Sequence, residues 1–264
     1  MTLTPKQSKT APKTGTALVT GASHGIGRAL AIFLARRGYR VVCVARTEKD
    51  LKETVDRVSA EGNAAVMIPV DLERSTDVSA LVSQVKKEFD DLNLLAHLAS
   101  PRVDPETEST LKGTAVEQIE AYLKVSMGAA MVLTKSLQEL LSKNAPSHLF
   151  FMSSDWAMRG SHGPAAFGAV KAGIAHFARS IRREMARGGV RTTVLLPGDV
   201  ASFDVDWAQS VWDIDDRPED VMCALGDKRI LLVDVFAAIG ACLDQKAGRI
   251  EEIVFAPSNP DYDY

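Results

Sequence analysis

The sequence has few cysteines and no long apolar run. Cys43, Cys223 and Cys242 lie far apart, so they form neither a disulfide framework nor a C-x-x-C metal pair, and they favour a reducing compartment. No run of about 18 apolar residues is available to span a membrane. Residues 1–13 lack the apolar segment of a secretory signal, and we expect them to form a flexible, solvated tail. These absences predict a cytoplasmic protein with no membrane partner.

No sign of charge dominates the sequence either. It has 31 lysines and arginines against 34 acidic residues, a formal net charge of −3, so we expect no nucleic-acid partner. No His, Cys or carboxylate spacing is typical of a metal site. Apolar residues make up 46% of the 264 residues and charged residues 25%, which excludes disordered, collagen-like and coiled-coil chains. Residues 14–264 are therefore expected to form one folded domain.

The dominant pattern is an alternation of short β-branched runs with longer amphipathic segments. Runs typical of strands cover residues 16–20, 40–45, 64–70, 93–99, 148–152, 190–196 and 249–256. Helical spacing covers residues 26–37, 48–60, 75–89, 115–141, 164–186 and 230–243. Seven strands alternating with six helices predict an α/β fold. It is a single doubly wound Rossmann domain, whose seven-stranded, mostly parallel sheet has helices on both faces.

A glycine-rich turn, Thr20–Gly27, joins the first predicted strand to the first predicted helix. Glycines let the backbone turn tightly and approach a pyrophosphate, which the N–H groups and dipole of the helix N-terminus stabilise. The turn therefore predicts a dinucleotide site. Its cofactor-binding residues are Gly21, Ser23, His24, Gly25, Ile26 and Gly27.

The end of the second predicted strand indicates which dinucleotide is bound. Folds that prefer NAD usually carry Asp or Glu there to hold the ribose hydroxyls, whereas this sequence has Ala45 and Arg46. A guanidinium can bind a 2′-phosphate in bidentate fashion, and His24 offers a second donor. We therefore predict NADP(H) as the cofactor.

With these motifs the chain resembles the short-chain dehydrogenase/reductase family over residues 14–257. The marks are the glycine-rich turn, Asp71-Leu72, Ser153-Ser154, Lys171 and the stretch Pro197–Ser202. The resemblance implies that Asp71 and Leu72 flank the adenine, and that Lys171 holds the nicotinamide ribose. The remaining cofactor contacts that it implies are Ala99, Pro197, Gly198, Val200 and Ser202.

The chain departs from this family at the catalytic residues. The family uses Asn, Ser, Tyr and Lys, with the Tyr four residues before the Lys and the Ser thirteen before the Tyr. Counting back from Lys171 places Phe167 at the tyrosine position and Ser154 at the serine position. Ser126 replaces the asparagine, and residues 97–100 replace an Asn-Asn-Ala-Gly motif. Phenylalanine cannot donate a proton, so the resemblance supports cofactor binding more strongly than ordinary ketone reduction.

Two other residues are candidates for the missing proton donor. His162, five residues before Phe167, titrates near neutral pH, and Asp155 follows Ser154. The alternative is that both are loop residues with solvent partners. Changes at Ser126 and at residues 97–100 favour natural divergence over an engineered Phe167.

Three functions remain open. The first is an atypical NADP(H)-dependent oxidoreductase acting on a carbonyl or an activated C=C or C=N bond of a small molecule. The second is an NADP(H)-binding pseudoenzyme or structural subunit, alone or paired with an active relative. The third is a non-redox cyclase or dehydratase. Small residues at 128–130 and 165–173 would permit close packing between subunits, and the resemblance implies a homodimer or homotetramer.

Overall fold

The seven predicted strands form one parallel sheet in the computed structural model, which describes residues 15–104, 106–158, 164–200 and 230–257. The strands are β1 (Thr16–Thr20), β2 (Arg40–Ala45), β3 (Ala65–Pro69), β4 (Leu92–His97), β5 (Ser147–Met152), β6 (Val190–Pro197) and β7 (Glu252–Phe255). Their order is β3-β2-β1-β4-β5-β6-β7. The winding direction changes between β1 and β4, and such a switch point opens a crevice at the carboxyl ends of the strands. The predicted fold class is confirmed.

Helices cover both faces of the sheet. They are α1 (Gly25–Arg36), α2 (Glu48–Ala60), α3 (Ser75–Glu88), α4 (Val116–Ala121), α5 (Ala129–Lys143), α6 (Ala165–Arg187) and α7 (Leu232–Leu243). Along β1, Ala17 and Val19 join the apolar core under α1 and α7, whereas Leu18 joins the core under α3, α5 and α6. This alternation follows from the two-residue period of a strand.

The helix predicted over residues 115–141 is not α-helical throughout. A π-helical segment, Tyr122–Gly128, separates α4 from α5. Apolar spacing cannot reveal such a segment, because one wider turn leaves the pattern on either side intact. Single π-helical turns inside longer helices are frequent at functional sites, and Ser126 lies in this one.

Two strands have one end that lies two or more residues inside the predicted run. Strand β4 ends at His97 rather than at residue 99, because the backbone amides of Leu98 and Ala99 lie 3.2 and 3.3 Å from the Thr20 hydroxyl. Strand β7 covers Glu252–Phe255 rather than residues 249–256, since its pairing with β6 begins at Glu252. The other boundaries agree with the predictions to within about two residues.

Some predictions fall on residues that the structure does not describe. They concern the tail at residues 1–13, His162, Ser202 and Cys223. Within the described ranges, no helix is long and apolar enough to cross a membrane. The same ranges contain no group of three or more potential metal-ligating side chains.

Candidate active site

The glycine-rich turn packs closely against the end of β4. Gly21 has a φ of +71°, a conformation that side chains disfavour. A Cβ atom on Gly21 would lie 2.8 Å from the backbone of Ala99, and one on Gly27 would lie 2.2 Å from the Gly21 carbonyl oxygen. Helix α1 begins at Gly25 with its free amides facing this turn. The geometry fits the pyrophosphate of a dinucleotide, as predicted from the motif.

A buried network, which the sequence analysis missed, supports this turn. The Thr54 hydroxyl on α2 donates to the carbonyl oxygen of Ala22 at 2.8 Å. The Nε of Arg28 on α1 in turn donates to the Thr54 oxygen at 3.0 Å, and its Nη1 pairs with Glu53 at 3.0 Å. Arg28 is only 5% exposed, which is unusual for an arginine. The network fixes the turn relative to two helices, and no local sequence pattern links its members.

Arg46 and His24, the two predicted 2′-phosphate donors, each lie beside a carboxylate. Arg46 Nη1 is 3.6 Å from an oxygen of Glu73. His24 Nε2 is 3.3 Å from an oxygen of Asp50, and its Nδ1 is 3.0 Å from the Ser23 hydroxyl. The end of β2 itself lacks an acid, as predicted, but neighbouring segments supply two. Glu73 could have been anticipated, because β2 and β3 are adjacent and parallel.

The residues expected near the adenine follow β3. Leu72 is buried, and the Asp71 carboxylate accepts a hydrogen bond from the Glu73 amide at 3.1 Å. This local turn places Asp71 and Leu72 at the carboxyl edge of the sheet, next to the end of β2. The structure thus brings them to the same edge as the glycine-rich turn.

Lys171 and Phe167 lie one turn apart on α6 and contact each other. Lys171 is 4% exposed, and its Nζ donates to the Met152 carbonyl at 3.0 Å. The same nitrogen lies 5.2 Å from the centre of the Phe167 ring. Burial lowers the pKa of Lys171 to about 8. The predicted pair is therefore assembled, with an aromatic ring where a phenol would adjoin the amine.

Ser154, directly after β5, is also brought to this edge of the sheet. Its Oγ lies 3.0 Å from an oxygen of the buried Asp155 and 3.3 Å from the Pro197 carbonyl, and it accepts from the Trp156 amide at 3.3 Å. A hydroxyl has one hydrogen to donate, and both acceptors are protein oxygens. Asp155, predicted as a substitute proton donor, is a direct neighbour of Ser154.

Two further predicted positions have polar partners. The Ser126 hydroxyl lies 3.0 Å from that of Ser100. Ser126, at the position of the family's asparagine, is therefore hydrogen-bonded to the segment after β4. His97 Nε2 lies 2.9 Å from the Thr134 hydroxyl, and burial lowers the pKa of His97 to about 3. A buried, neutral histidine of this kind has a structural role rather than a catalytic one.

Strand β6 leads into the last group of predicted cofactor contacts. The Gly198 amide donates to the Phe255 carbonyl at 3.0 Å, and Val200 forms an isolated parallel bridge with Ile230. The stretch beginning at Pro197 therefore leaves the sheet at its carboxyl edge, beside Ser154. His162 and Ser202 are outside the described residues.

Known proteins resemble this chain in sequence and in structure. The ketoacyl reductase HetN of Nostoc sp. is 29% identical over 186 residues, 70% of this chain and 63% of HetN. A short chain dehydrogenase of Pseudocercospora fijiensis is 32% identical over 71% of this chain and 60% of its own length. The chain thus spans less than two thirds of either relative.

An archaeal alcohol dehydrogenase from Thermococcus sibiricus, solved in complex with 5-hydroxy-NADP, has the same fold. Its TM-score is 0.77 at 19% identity, over 96% of this chain and 100% of that one. Residues 15–210 also match the family model described as short chain dehydrogenase. That match contains the glycine-rich turn, Ser154 and Lys171, and it shows that this chain belongs to the short chain dehydrogenase family.

Proposed function

We propose that this chain is an NADP(H)-dependent oxidoreductase that reduces a carbonyl or an activated C=C or C=N bond of a small molecule. The observation that carries the proposal is the glycine-rich turn with His24 and Arg46 beside it and no acid at the end of β2. The archaeal dehydrogenase in complex with 5-hydroxy-NADP and the ketoacyl reductase HetN support the same cofactor class and reaction class.

Different residues of the site would hold different parts of the cofactor. The turn amides at the start of α1 would hold the pyrophosphate, and Arg46 with His24 would hold the 2′-phosphate. Asp71 and Leu72 would border the adenine, and Lys171 would hold the nicotinamide ribose. The nicotinamide supplies the hydride.

The proposed active site is non-standard because Phe167 occupies the position that adjoins Lys171. Reduction of a ketone needs a proton for the forming alkoxide, and Phe167 has none to give. Ser154 could donate a hydrogen bond to the developing oxyanion only by leaving Asp155 or Pro197. Reduction of an iminium or an enone depends less on a proton donor than reduction of a ketone does, so such substrates suit this site better. His162 and Asp155 remain the proposed sources of a proton.

A second candidate function is that of an NADP(H)-binding subunit without catalytic turnover. The bonds that engage the Ser154 hydroxyl favour it, since they direct that hydrogen toward protein oxygens. We propose in either case a homodimer or homotetramer, because the small residues of α6 would permit close packing between helices. We also propose a cytoplasmic location, because the three separated cysteines favour a reducing compartment.

Calorimetric titration with NADPH and NADH tests the cofactor proposal. A charge-assisted pair contributes about 1.5–3 kcal/mol, so wild-type protein should bind NADPH about 10- to 100-fold more tightly than NADH. Arg46→Ala should remove most of that preference, whereas Lys49→Ala, which deletes a nearby exposed cation, should keep it. Glu73→Gln should strengthen NADPH binding alone, because it frees Arg46. Equal affinities in wild-type protein, or an unchanged ratio in Arg46→Ala, would overturn the proposal.

Oxidation of NADPH at 340 nm across a panel of ketones, enones and imines separates the two functions. Turnover on any substrate class supports the oxidoreductase. Tight NADPH binding without turnover on the whole panel supports the non-catalytic subunit.

A further inference from the structure

Glu108 is a buried carboxylate in the segment between β4 and α4. It is 3% exposed, although acidic residues are rarely fully buried without partners. Its Oε2 accepts from the Tyr122 hydroxyl at 2.7 Å, and its Oε1 accepts from the Asp104 amide at 2.7 Å. The Gln118 side-chain amide lies 3.4 Å from the same Oε1. These bonds join the segment to the helix that carries Ser126.

Tyr122 connects this carboxylate to the centre of the candidate active site. Its side chain is fully buried at the start of the π-helical segment. The ring meets the Phe167 ring edge-on, with centroids 5.6 Å apart. Phe167 in turn lies 5.2 Å from Lys171 Nζ. A continuous series of contacts therefore leads from Glu108 through Tyr122 and Phe167 to Lys171.

The orientation of the Tyr122 hydroxyl shows what the pair can do. Besides Glu108, its neighbours are the carbonyl oxygen of Arg102, at 3.5 Å, and the side chain of Gln118 on α4. Glu108 and Arg102 belong to the segment after β4, so the hydroxyl points toward that segment and away from Lys171. Burial, together with Glu108, raises the pKa of Tyr122, which makes its proton harder to give up. Tyr122 therefore contacts the residue beside the proposed reacting centre without serving as its acid.

We propose that Glu108 and Tyr122 are positioning residues that hold residues 106–115 against the active site and fix the ring of Phe167, and thereby set the affinity for the substrate. The inference rests on the proposed function for its kinetic consequence, because the substrate meets Phe167 only if the site is catalytic. The anchoring of residues 106–115 is inferred from the contacts alone and does not depend on catalysis. A buried, charge-assisted hydrogen bond is among the stronger single bonds available to anchor a loop.

Two variants and a control test the anchoring. Tyr122→Phe keeps the ring and removes the hydroxyl, and Glu108→Gln keeps the shape and removes the charge. Glu106→Gln makes the same chemical change at an exposed position of the same segment. Hydrogen exchange of residues 106–115 should be about tenfold faster in Tyr122→Phe, the factor expected for one lost charge-assisted bond. Exchange of these residues should also be faster in Glu108→Gln, and in Glu106→Gln it should be as slow as in wild-type protein.

Kinetics distinguish positioning from a purely structural role. In Tyr122→Phe the KM of the carbonyl, enone or imine substrate should rise about five- to tenfold, as for one weakened bond. The kcat should change less, and the NADPH dissociation constant measured by calorimetry should stay within about twofold, because the phosphate-binding turn is untouched.

Two results would overturn the inference. Unchanged exchange of residues 106–115 in both Tyr122→Phe and Glu108→Gln would show that the pair anchors nothing. A fall in kcat at unchanged KM, with an altered solvent isotope effect, would identify Tyr122 as a proton donor instead. Failure of the proposed function has a different signature, since wild-type protein would then bind no NADPH, or bind it without turnover on any substrate, while the exchange comparison kept its meaning.

Discussion

Replacing Phe167 with tyrosine restores a phenol beside Lys171. The two residues share one face of α6, and Lys171 Nζ lies 5.2 Å from the Phe167 ring centre. A phenol next to a cationic amine loses its proton more easily, so the tyrosine could protonate a forming alkoxide. We expect Phe167→Tyr to raise NADPH-dependent reduction of simple ketones above the slow or absent rate of wild-type protein.

The structure sets the size of this gain near the lower end of what general acids contribute. General acid catalysis typically contributes ~10²–10⁴-fold, or about 3–5 kcal/mol of barrier. Ser154 gives part of its hydrogen-bonding capacity to Asp155 and Pro197. Ser126 contacts Ser100 and supplies no amide for a relay. A gain of up to about 10²-fold therefore fits this site.

The assay is NADPH oxidation at 340 nm on a panel of ketones. Phe177→Tyr adds the same hydroxyl to another half-buried ring of α6, one that packs on Phe151 away from Lys171, and it should give no gain. The double variant Phe167→Tyr with Lys171→Met should lose the gain, because the phenol then lacks its cation. No gain in Phe167→Tyr with NADPH still bound would refute the reasoning. Fast ketone turnover by wild-type protein would also refute it and point to His162.

Two further predictions concern stability. Thr54→Val should lower the free energy of unfolding in urea by about 1–3 kcal/mol and weaken the binding of NADPH and NADH alike, because it removes the hydroxyl that donates to the Ala22 carbonyl and accepts from Arg28 Nε. Loss of NADPH affinity alone would contradict that role. For His97, burial lowers the pKa to about 3, so only the unfolded chain gains its proton as the pH falls below about 6.5. The free energy of unfolding should fall by up to about 1.4 kcal/mol per pH unit in that window. His97→Gln should flatten this dependence of the free energy of unfolding on pH between pH 6.5 and 4.5. An unchanged slope in the variant would assign the dependence to other groups, such as His148.

The sheet, and the places where the proposed cofactor-binding residues lie at its edge, could be predicted because the information is local. Each strand is a short apolar run whose two faces both meet a core, as Ala17, Leu18 and Val19 show on β1. The glycine-rich turn and Arg46 each follow a strand directly, so the parallel order places them at one edge. Spacing along a single helix likewise places Phe167 beside Lys171.

Apart from Glu73, which follows the strand next to β2, the partners of these residues could not be predicted, because they come from distant parts of the chain. Asp50, for example, reaches His24, a proposed 2′-phosphate donor, from α2. In the sequence Glu108 is indistinguishable from other acidic loop residues, and only the structure shows that Tyr122 donates a hydrogen bond to it. Apolar periodicity records which face of an element is buried, but it carries no information on which buried polar atoms meet.

The difference between local patterns and distant partners also explains why the catalytic half of the site is harder to interpret than the cofactor half. A pyrophosphate is held mainly by backbone amides, so the shape of one turn is sufficient to predict its site. Proton transfer in the proposed reaction would depend on side chains that converge from α6, the end of β5, the end of β6 and the π-helical segment. The Ser154 hydroxyl shows the difficulty, because Pro197, 43 residues along the chain, competes for its hydrogen. Whether Ser154 serves a substrate is therefore decided by tertiary contacts, and Phe167→Tyr probes the arrangement that those contacts have produced.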